Sequence, residues 1–374
     1  KVLEALIAKG RRVRRPREQK EVAFGLADLS THEELHDRIV KKGGIRSLIE
    51  LLKRSQDAEA QRFRCLALAI ANCASAVFTR IQIVEDGVLD PMLNLIRDDD
   101  ADLIVRQYCA MAVGNLAAEP DNHEEIVKLD GISALVTLLK VCSGCQLEQK
   151  PALLQDTESG RYAAFALSNL AANANHREQV VAEDAIAGLV ALGCCEDINA
   201  QRQSLSALRG LCISPAFRVQ AVSDGFLDPL VLLARTDDVS LLREVAAALN
   251  CLSCMEDNKM EIADRCIANI ISMMMCGDAE VERHSCCATA NLMEMGELHN
   301  RLLEERGLAP LVALSNSGDI NSREEATRAL ANLAANPDMQ QPVLREGALA
   351  PLVNALTSGE VNCQRFGALA LANL

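Results

Sequence analysis

The chain has 374 residues and a formal net charge of −14, with 49% apolar residues, 2% aromatic residues and no tryptophan. The aromatic residues that β-strands favour are scarce, which argues against an all-β fold. The acidic charge argues against a nucleic-acid-binding surface, because phosphate binding needs an excess of Lys and Arg. No apolar run approaches the roughly 18 residues of a membrane span, so we expect no direct membrane insertion.

A phrase centred on Asn-Leu recurs along the chain. It reads Ala-Val-Gly-Asn-Leu-Ala up to Ala117, Ala-Leu-Ser-Asn-Leu-Ala up to Ala171 and Ala-Leu-Ala-Asn-Leu-Ala up to Ala334. The position of the Asn in this phrase, called the Asn position below, is filled in chain order by Asp28, Asn72, Asn115, Asn169, Gly210, Cys251, Asn291, Asn332 and Asn373. Successive positions are 40–44 residues apart, with one interval of 54. Such a period indicates a repeat protein.

Each repeat is predicted to contain three helices. The first is short, as in residues 122–127, the second is apolar, as in 132–139, and the third is longer and alanine-rich, as in 105–118. Glycine commonly precedes the second helix, because it tolerates the left-handed conformation of a helix end. This place holds Gly44, Gly87, Gly131, Ala185, Gly225, Cys266, Gly307 and Gly347. The interval of 54 predicts an insertion at about residues 141–159.

This three-helix unit, with glycine before the second helix and Asn-Leu late in the third, resembles the armadillo repeat family. The resemblance covers residues 1–374 as about nine repeats, ending near residues 29, 73, 116, 170, 211, 252, 292, 333 and 374. It implies an all-α fold, a right-handed superhelical α-solenoid that forms a single domain. The chain has no initiator Met and begins and ends inside apolar patterns, so we expect it to be an excerpt of a longer protein.

In this family the recurring Asn clamps the backbone of an extended peptide in a concave groove. The resemblance therefore implies a peptide-binding groove lined by the Asn ladder, which consists of Asn72, Asn115, Asn169, Asn291, Asn332 and Asn373. Because Gly210 and Cys251 interrupt the ladder, we expect one half of the clamp in repeats 2–4 and the other in repeats 7–9. The alternative is that each Asn forms hydrogen bonds to neighbouring helices.

Arginines recur eight to ten residues before the Asn position. This Arg ladder consists of Arg62, Arg106, Arg161, Arg202, Arg243, Arg283, Arg323 and Arg365. Arginines that line one groove would bind acidic segments through paired hydrogen bonds. The alternative, which the spacing does not exclude, is that each Arg bonds an acidic turn or a helix end of its neighbour. Phe165, four residues before Asn169, is expected on the same groove face.

These patterns predict a scaffold or adaptor that binds a protein or peptide in extended conformation and is not an enzyme. Resemblance is closest to the vacuolar armadillo and catenin-like scaffolds, which lack the repeated groove Trp of the importin-alpha branch. A nuclear-import adaptor and a regulatory domain of a larger enzyme are the alternatives.

No catalytic site, cofactor or metal site is expected, because Cys142 and Cys145 lack a second ligand pair at a suitable spacing. Most of the 15 Cys fall at apolar helical positions, which favours reduced thiols in the cytoplasm or the nucleus. The last helix presents an uncapped apolar face, which predicts end-to-end self-association.

Overall fold

The computed structural model describes residues 2–53, 60–142 and 157–374, except for the side chains of residues 53, 60–62, 141 and 142. Most of the insertion predicted at 141–159 therefore lies outside the described residues. Within these ranges the chain forms α-helices, short 3-10 helices and turns, and no strand, which confirms the all-α prediction. The contacts divide the chain into two compact units, residues 1–211 and residues 212–374. The single domain stays a prediction.

In unit 1 the helices follow one another in sets of three, except in the first repeat, which has two. The first repeat contains α1 (Val2–Arg12) and α2 (Pro16–Ser30). The next sets are α3 (His36–Lys41), α4 (Gly44–Lys53) and α5 (Ala60–Ser75); α6 (Arg80–Glu85), α7 (Leu89–Arg97) and α8 (Leu103–Ala117); α9 (His123–Lys128), α10 (Gly131–Cys142) and α11 (Thr157–Ala172); and α12 (Ala174–Ala182), α13 (Ala185–Gly193) and α14 (Ile198–Cys212).

Unit 2 continues the same order with one exception. Its helices are α15 (Arg218–Ser223), α16 (Leu227–Leu233) and α17 (Val239–Ser253); α18 (Glu256–Met273) and α19 (Ala279–Leu292); α20 (His299–Glu304), α21 (Leu308–Leu314) and α22 (Ile320–Ala334); and α23 (Pro337–Arg345), α24 (Leu349–Leu356) and α25 (Val361–Asn373). The prediction of three helices is wrong for the repeat that contains α18. Cys266 replaces glycine there and no residue of α18 has a positive φ, so its first and second helices are continuous.

Glycine before the second helix has two different roles. Gly87 adopts a φ of 84°, the left-handed conformation predicted for a helix end. At Gly131 the preceding Asp130 takes the left-handed conformation instead, with a φ of 59°. A Cβ on Gly131 would lie 2.6 Å from Ile126 Cγ2 and 2.7 Å from the Ile126 carbonyl oxygen. Close packing of two helix ends therefore requires this glycine, which corrects the interpretation from sequence. The same arrangement occurs at Gly44 and Gly307.

Successive third helices pack against one another within each unit. The contacting series are α2, α5, α8 and α11 in unit 1 and α17, α19, α22 and α25 in unit 2. Small residues at the contacts, such as the buried Ala112 and Gly114, allow helix axes to approach to about 8–10 Å. The second helices supply the largest share of the large apolar side chains of the core, including the fully buried Leu93 and Leu135. The third helices therefore form a continuous layer within each unit.

The residue eight positions after the Asn position closes the end of the third helix in seven repeats, whereas at the end of α17 Asn258 Nδ2 donates to the Leu252 carbonyl oxygen at 3.2 Å instead. His123 Nε2 lies 2.8 Å from the Ala117 carbonyl oxygen, and Arg177 Nε donates to the Ala171 carbonyl oxygen at 2.7 Å. The equivalent contact is made by His36, Arg80, Arg218, His299 and Gln340. The last carbonyls of a helix have no partner within it, so these side chains act as caps that join the third helix to the next repeat.

No single helix in the described ranges is long and apolar enough to cross a membrane. The segments Phe63–Ser75 and Val77–Glu85 reach the required length and composition only when taken together, and a bend of 110° separates them.

Candidate functional site

One face of each third helix is half-exposed, whereas most of the helix is buried. On α11 this face holds Arg161, Tyr162, Phe165 and Asn169, which align because residues three, four and seven apart share one side of a helix. We call this face the third-helix stripe. In unit 1 it also contains Arg64, Leu68 and Asn72 on α5, Arg106, Tyr108, Met111 and Asn115 on α8, and Arg202 and Ser206 on α14.

Each Asn of the ladder in unit 1 is anchored to the preceding third helix. Asn115 Nδ2 donates to the Ala71 carbonyl oxygen at 3.1 Å, and Asn169 Nδ2 donates to the Gly114 carbonyl oxygen at 3.2 Å. In both cases the acceptor is the residue just before the Asn position of the preceding repeat. One N–H group of each of these side chains thus bonds a neighbouring helix, as the alternative interpretation of the ladder predicts.

The rest of each carboxamide remains open to a ligand. A primary amide has two N–H donors and one acceptor oxygen, and the described residues occupy only one donor of Asn115 and of Asn169. Asn72 is engaged in a similar way, because its Nδ2 donates to Ser30 Oγ at 3.1 Å. All three side chains are half-buried, and the bond from Nδ2 anchors each amide while its oxygen has no partner among the described residues. A carboxamide held in this way is suited to accept a hydrogen bond from a peptide N–H group.

Asn291 in unit 2 is closed to a ligand in this structure. The residue is 8% exposed, and its Nδ2 donates to Ser253 Oγ at 3.0 Å. Its Oδ1 accepts a hydrogen bond of 2.7 Å from Arg328 Nη2. Arg328 also donates to Glu294 Oε1 at 2.9 Å and to Glu325 Oε2 at 2.8 Å. A clamp at Asn291 stays a prediction, and it requires Arg328 to move.

The other ladder positions of unit 2 differ from one another. Asn332 Nδ2 donates to the Ala290 carbonyl oxygen at 3.2 Å, the arrangement seen at Asn115. Asn373 is half-buried, and its backbone carbonyl accepts a hydrogen bond of 2.7 Å from Gln340 Nε2. Among the described residues, adjacent third helices that both carry an anchored carboxamide with an oxygen lacking a described partner therefore occur in unit 1.

Two arginines of the Arg ladder join adjacent repeats in unit 2. Arg243 Nε and Nη2 donate to the two carboxylate oxygens of Asp278 at 3.1 and 2.6 Å, and Asp278 caps α19 by accepting from the Val281 backbone N–H at 3.1 Å. Arg323 Nη2 lies 3.0 Å from Oε1 of Glu360, the residue before α25. These contacts correspond to the alternative in which the arginines bond acidic turns.

The arginines of unit 1 are less uniformly engaged. Arg161 Nη2 donates to Glu158 Oε2 at 2.6 Å, and its guanidinium carbon lies 4.2 Å from the ring centroid of Tyr162. Arg106 is half-buried, and its buried Nε has no hydrogen-bond partner among the described residues. Also half-buried are Arg202 and Arg283. Arg106 and Arg161 therefore place guanidinium groups along the third-helix stripe, and that of Arg161 is paired with Glu158.

Arg64 is a member of the Arg ladder that the sequence interpretation missed. Its Nε donates to Asp102 Oδ1 at 2.7 Å, and Asp102 is the N-cap of α8. The signal was present, since Arg64 precedes its Asn position by eight residues, as Arg161 does. The side chain of Arg62, which was assigned to this role, lies outside the described residues.

Both tyrosines of the chain lie on the third-helix stripe of unit 1. Tyr108 and Tyr162 each stand seven residues before the Asn position of their repeat, and both are half-buried. Phe165 packs over Gly114 of the preceding repeat, because a Cβ on that glycine would lie 2.8 Å from Phe165 Cδ1. Sequence reasoning identified Phe165 and missed the tyrosines. Aromatic and basic side chains thus alternate beside two open carboxamides.

Every cysteine among the described side chains is a free thiol. Burial raises the pKa of Cys73 and Cys212 to about 12, so these thiols are protonated at neutral pH. Cys142 and Cys145 lie outside the described side chains. The described residues contain no group of three or more His, Cys, Asp or Glu that could hold a metal ion.

Comparisons with known proteins agree with this architecture. A sequence profile for the Armadillo/beta-catenin-like repeat matches residues 301–335, which contain most of α20 and all of α21 and α22. An engineered protein from the Northeast Structural Genomics Consortium is 27% identical with a TM-score of 0.80, over 100% of this chain and 88% of that protein. A second engineered protein from the consortium is 25% identical with a TM-score of 0.57, over 65% of this chain and 96% of its own.

Computationally designed armadillo repeat proteins for modular peptide recognition are 22% identical with a TM-score of 0.57, over 65% of this chain and 99% of their own. A search of curated protein sequences finds no significant match. The recurring three-helix unit, the Asn ladder and these similarities together show an armadillo repeat fold, and the profile match identifies an armadillo repeat at residues 301–335.

Proposed function

We propose that this chain is a protein-binding scaffold that holds extended segments of partner proteins along the third-helix stripe of unit 1. The observation that carries the proposal is the paired geometry of Asn115 and Asn169. Each side chain uses one N–H group to hold the preceding third helix and keeps its oxygen free of described partners. Pre-oriented polar groups bind a ligand at a lower entropic cost than mobile ones.

The spacing of the third helices suits a ligand in extended conformation. Adjacent helix axes lie about 8–10 Å apart, and an extended chain advances about 3.3 Å per residue. One carboxamide therefore meets the ligand at roughly every third residue. Such a site binds the ligand backbone, which all peptides share. The neighbouring side chains therefore determine which ligands bind.

Those neighbouring side chains favour a partner that carries both acidic and apolar residues. Arg106 and Arg161 supply positive charge, and a guanidinium pairs well with a carboxylate. Tyr108, Tyr162 and Phe165 supply half-exposed aromatic surface on the same two helices. We therefore propose acidic segments with interspersed apolar residues as the ligand class, and no nucleic acid.

A binding role, rather than catalysis, is also favoured by the relatives. Designed armadillo repeat proteins similar to this chain are described as made for modular peptide recognition. The buried free thiols favour a reducing compartment, and we propose the cytoplasm or the nucleus.

The proposal can be tested with peptides selected from a random library of 12-residue sequences against the full chain. We expect acidic, partly apolar sequences, whose affinity is then measured by fluorescence anisotropy at several salt concentrations. The R106E/R161E variant should bind them more weakly, and binding that weakens with salt in the wild type should instead improve with salt. Arg14 and Arg17 are exposed and lie off the stripe, so R14E/R17E, which changes the net charge by the same amount, provides the matched control. Equal effects of R14E/R17E and R106E/R161E would show only a change in net charge and would refute the proposed site.

A further inference from the structure

A second surface of unit 1 exposes large apolar side chains in an unexpected place. Val77, Phe78 and Ile81 are 63%, 69% and 44% exposed, and we call these three residues the Phe78 patch. They lie on the 3-10 helix Val77–Thr79 and the first turn of α6. Contiguous exposed apolar surface on a folded protein commonly marks a site of interaction.

The Phe78 patch departs from the pattern of the other repeats. Phe78 stands six residues after the Asn position, and in five other repeats this place holds an exposed acidic residue. These are Glu34, Asp121, Asp257, Glu297 and Asp338. Repeat architecture therefore does not require an apolar side chain here, and the substitution of an aromatic ring for a carboxylate is particular to this repeat.

Neighbouring contacts hold the patch outward. Thr79 Oγ1 donates to the Cys73 carbonyl oxygen at 2.5 Å, and Arg80 Nε donates to the Ala74 carbonyl oxygen at 3.1 Å. Ile83, on the opposite side of α6, is fully buried. Because Thr79, Arg80 and Ile83 occupy the inward face of the segment, Val77, Phe78 and Ile81 remain on its outer face. The patch is thus a preformed surface.

Acidic residues lie on both sides of the patch. The 3-10 helix Val77–Thr79 contacts α3. The 3-10 helix Glu33–Leu35, which carries the exposed Glu33 and Glu34, directly precedes α3. On the other side α6 contacts the 3-10 helix Pro120–Asn122, which carries the exposed Asp121. An apolar centre between two acidic edges is complementary to a ligand with an apolar centre and basic ends.

We propose that the Phe78 patch docks a short extended segment of a partner protein, in which an apolar anchor residue is flanked on both sides by Lys or Arg. Helices of adjacent repeats lie about 8–10 Å apart, and an extended chain covers that distance in roughly three residues. The recognised pattern therefore has a basic residue about three positions before the anchor and another about three positions after it. This surface uses residues other than those of the third-helix stripe and does not depend on the function proposed there.

The test is a second selection from a random 12-residue peptide library, with the full wild-type chain as bait and counter-selection on F78S. Phe78 is mostly exposed, so F78S should fold, which circular dichroism and melting temperature will check; V77S replaces it if it does not. The matched control is I213S, which removes a 51% exposed apolar side chain that lies outside the Phe78 patch. Affinities of the enriched peptides are measured by fluorescence anisotropy for each variant and for E34Q/D121N.

The proposal expects enriched peptides with a large apolar residue between two basic residues. F78S should weaken their binding at least tenfold, E34Q/D121N should weaken it several-fold and reduce its salt dependence, and I213S should leave it unchanged. Peptides without flanking basic residues, or peptides that bind F78S as tightly as the wild type, would overturn the proposal. Binding of the wild type, but not of F78S, to vesicles of phosphatidylcholine and phosphatidylserine in place of peptides would assign the patch to a membrane surface and would overturn it as well.

Discussion

The contact between Arg243 and Asp278 can decide the role of the Arg ladder, because it is a well-formed example of a ladder arginine that bonds an acidic turn of the next repeat. Asp278 accepts two hydrogen bonds from Arg243, at 3.1 and 2.6 Å, and also accepts from the backbone N–H groups of Glu280 and Val281 at 3.2 and 3.1 Å. One carboxylate thus joins two repeats and caps α19. The variants R243A, D278N and D278A separate these two contributions.

The expected losses follow from exposure and from the number of bonds. The side chains of Arg243 and Asp278 are 45% and 19% exposed, so solvent screens their attraction, and we expect R243A to lower the stability only slightly. D278N keeps an oxygen that can cap α19 and should cost at most about 1 kcal/mol. D278A loses the cap as well as the ion pair and should cost about 2 kcal/mol.

A pH titration gives an independent check on the same pair. The hydrogen bonds from Arg243, and next the backbone N–H group of Val281, lower the pKa of Asp278 from 3.8 to about 2. A carboxyl group whose folded pKa is lowered stabilises the fold above its unfolded pKa, and this stabilisation is lost as the pH falls through the folded value. The stability difference between wild type and D278N should therefore be constant above about pH 5 and should shrink between pH 4 and pH 2.

Urea denaturation of the full chain, followed by circular dichroism, measures these differences. The double variant R243A/D278A should be only slightly less stable than D278A alone, because Arg243 then keeps only its contact with Glu280, at 3.4 Å from Nε to Oε2. Additive losses in the double variant, or a wild-type to D278N difference that does not change below pH 4, would refute the ion pair. Arg243 would then be available for the ligand-binding role predicted from the sequence.

Two further predictions concern the other structural findings. R328L should free Asn291 Oδ1 and lower the free energy of unfolding by about 1–3 kcal/mol, because Glu294 loses a charged partner. Calorimetric titrations should then detect a second peptide-binding site. A stoichiometry unchanged from wild type would show that Arg328 does not close this clamp. G131A should lower the melting temperature and cost about 1–3 kcal/mol, because its Cβ would lie 2.6 Å from Ile126 Cγ2. A melting temperature equal to that of wild type would mean that the two helix ends separate freely.

The repeat pattern was sufficient to predict the all-α fold and its armadillo repeat architecture. The spacing of the Asn position predicted the third helices because each repeat buries the same apolar face. The continuous helix α18 was not predicted, since a helix break depends on one left-handed residue and Arg306 shows that this residue need not be glycine. For the same reason the role of Gly131 was misassigned, because only the approach of Ile126 in three dimensions shows why a side chain is excluded.

The candidate site was predicted less completely than the fold. The sequence placed Asn115 and Asn169 in one register, but it could not show which donor of each carboxamide is used and which acceptor stays open. It also left both roles of the arginines open, because a guanidinium eight residues before the Asn position can reach either a ligand or the next helix N-terminus. Arg328 was overlooked as a partner of Asn291 because the two residues are 37 positions apart in the sequence.

The most direct test of the account is to replace Asn115 and Asn169 together by Ala and to measure peptide affinity by calorimetry and melting temperature on the same protein. Because each Asn also anchors the preceding helix, stability should fall by about 0.5–1.5 kcal/mol per residue. Affinity for the selected acidic peptides, measured well below the melting temperature, should weaken by about 1–3 kcal/mol, since each Asn loses its bonds to the peptide. N94A removes an exposed Asn on α7 and should change neither quantity. If the double variant loses stability and keeps the wild-type affinity, the Asn ladder is a structural device and the proposed binding site is wrong.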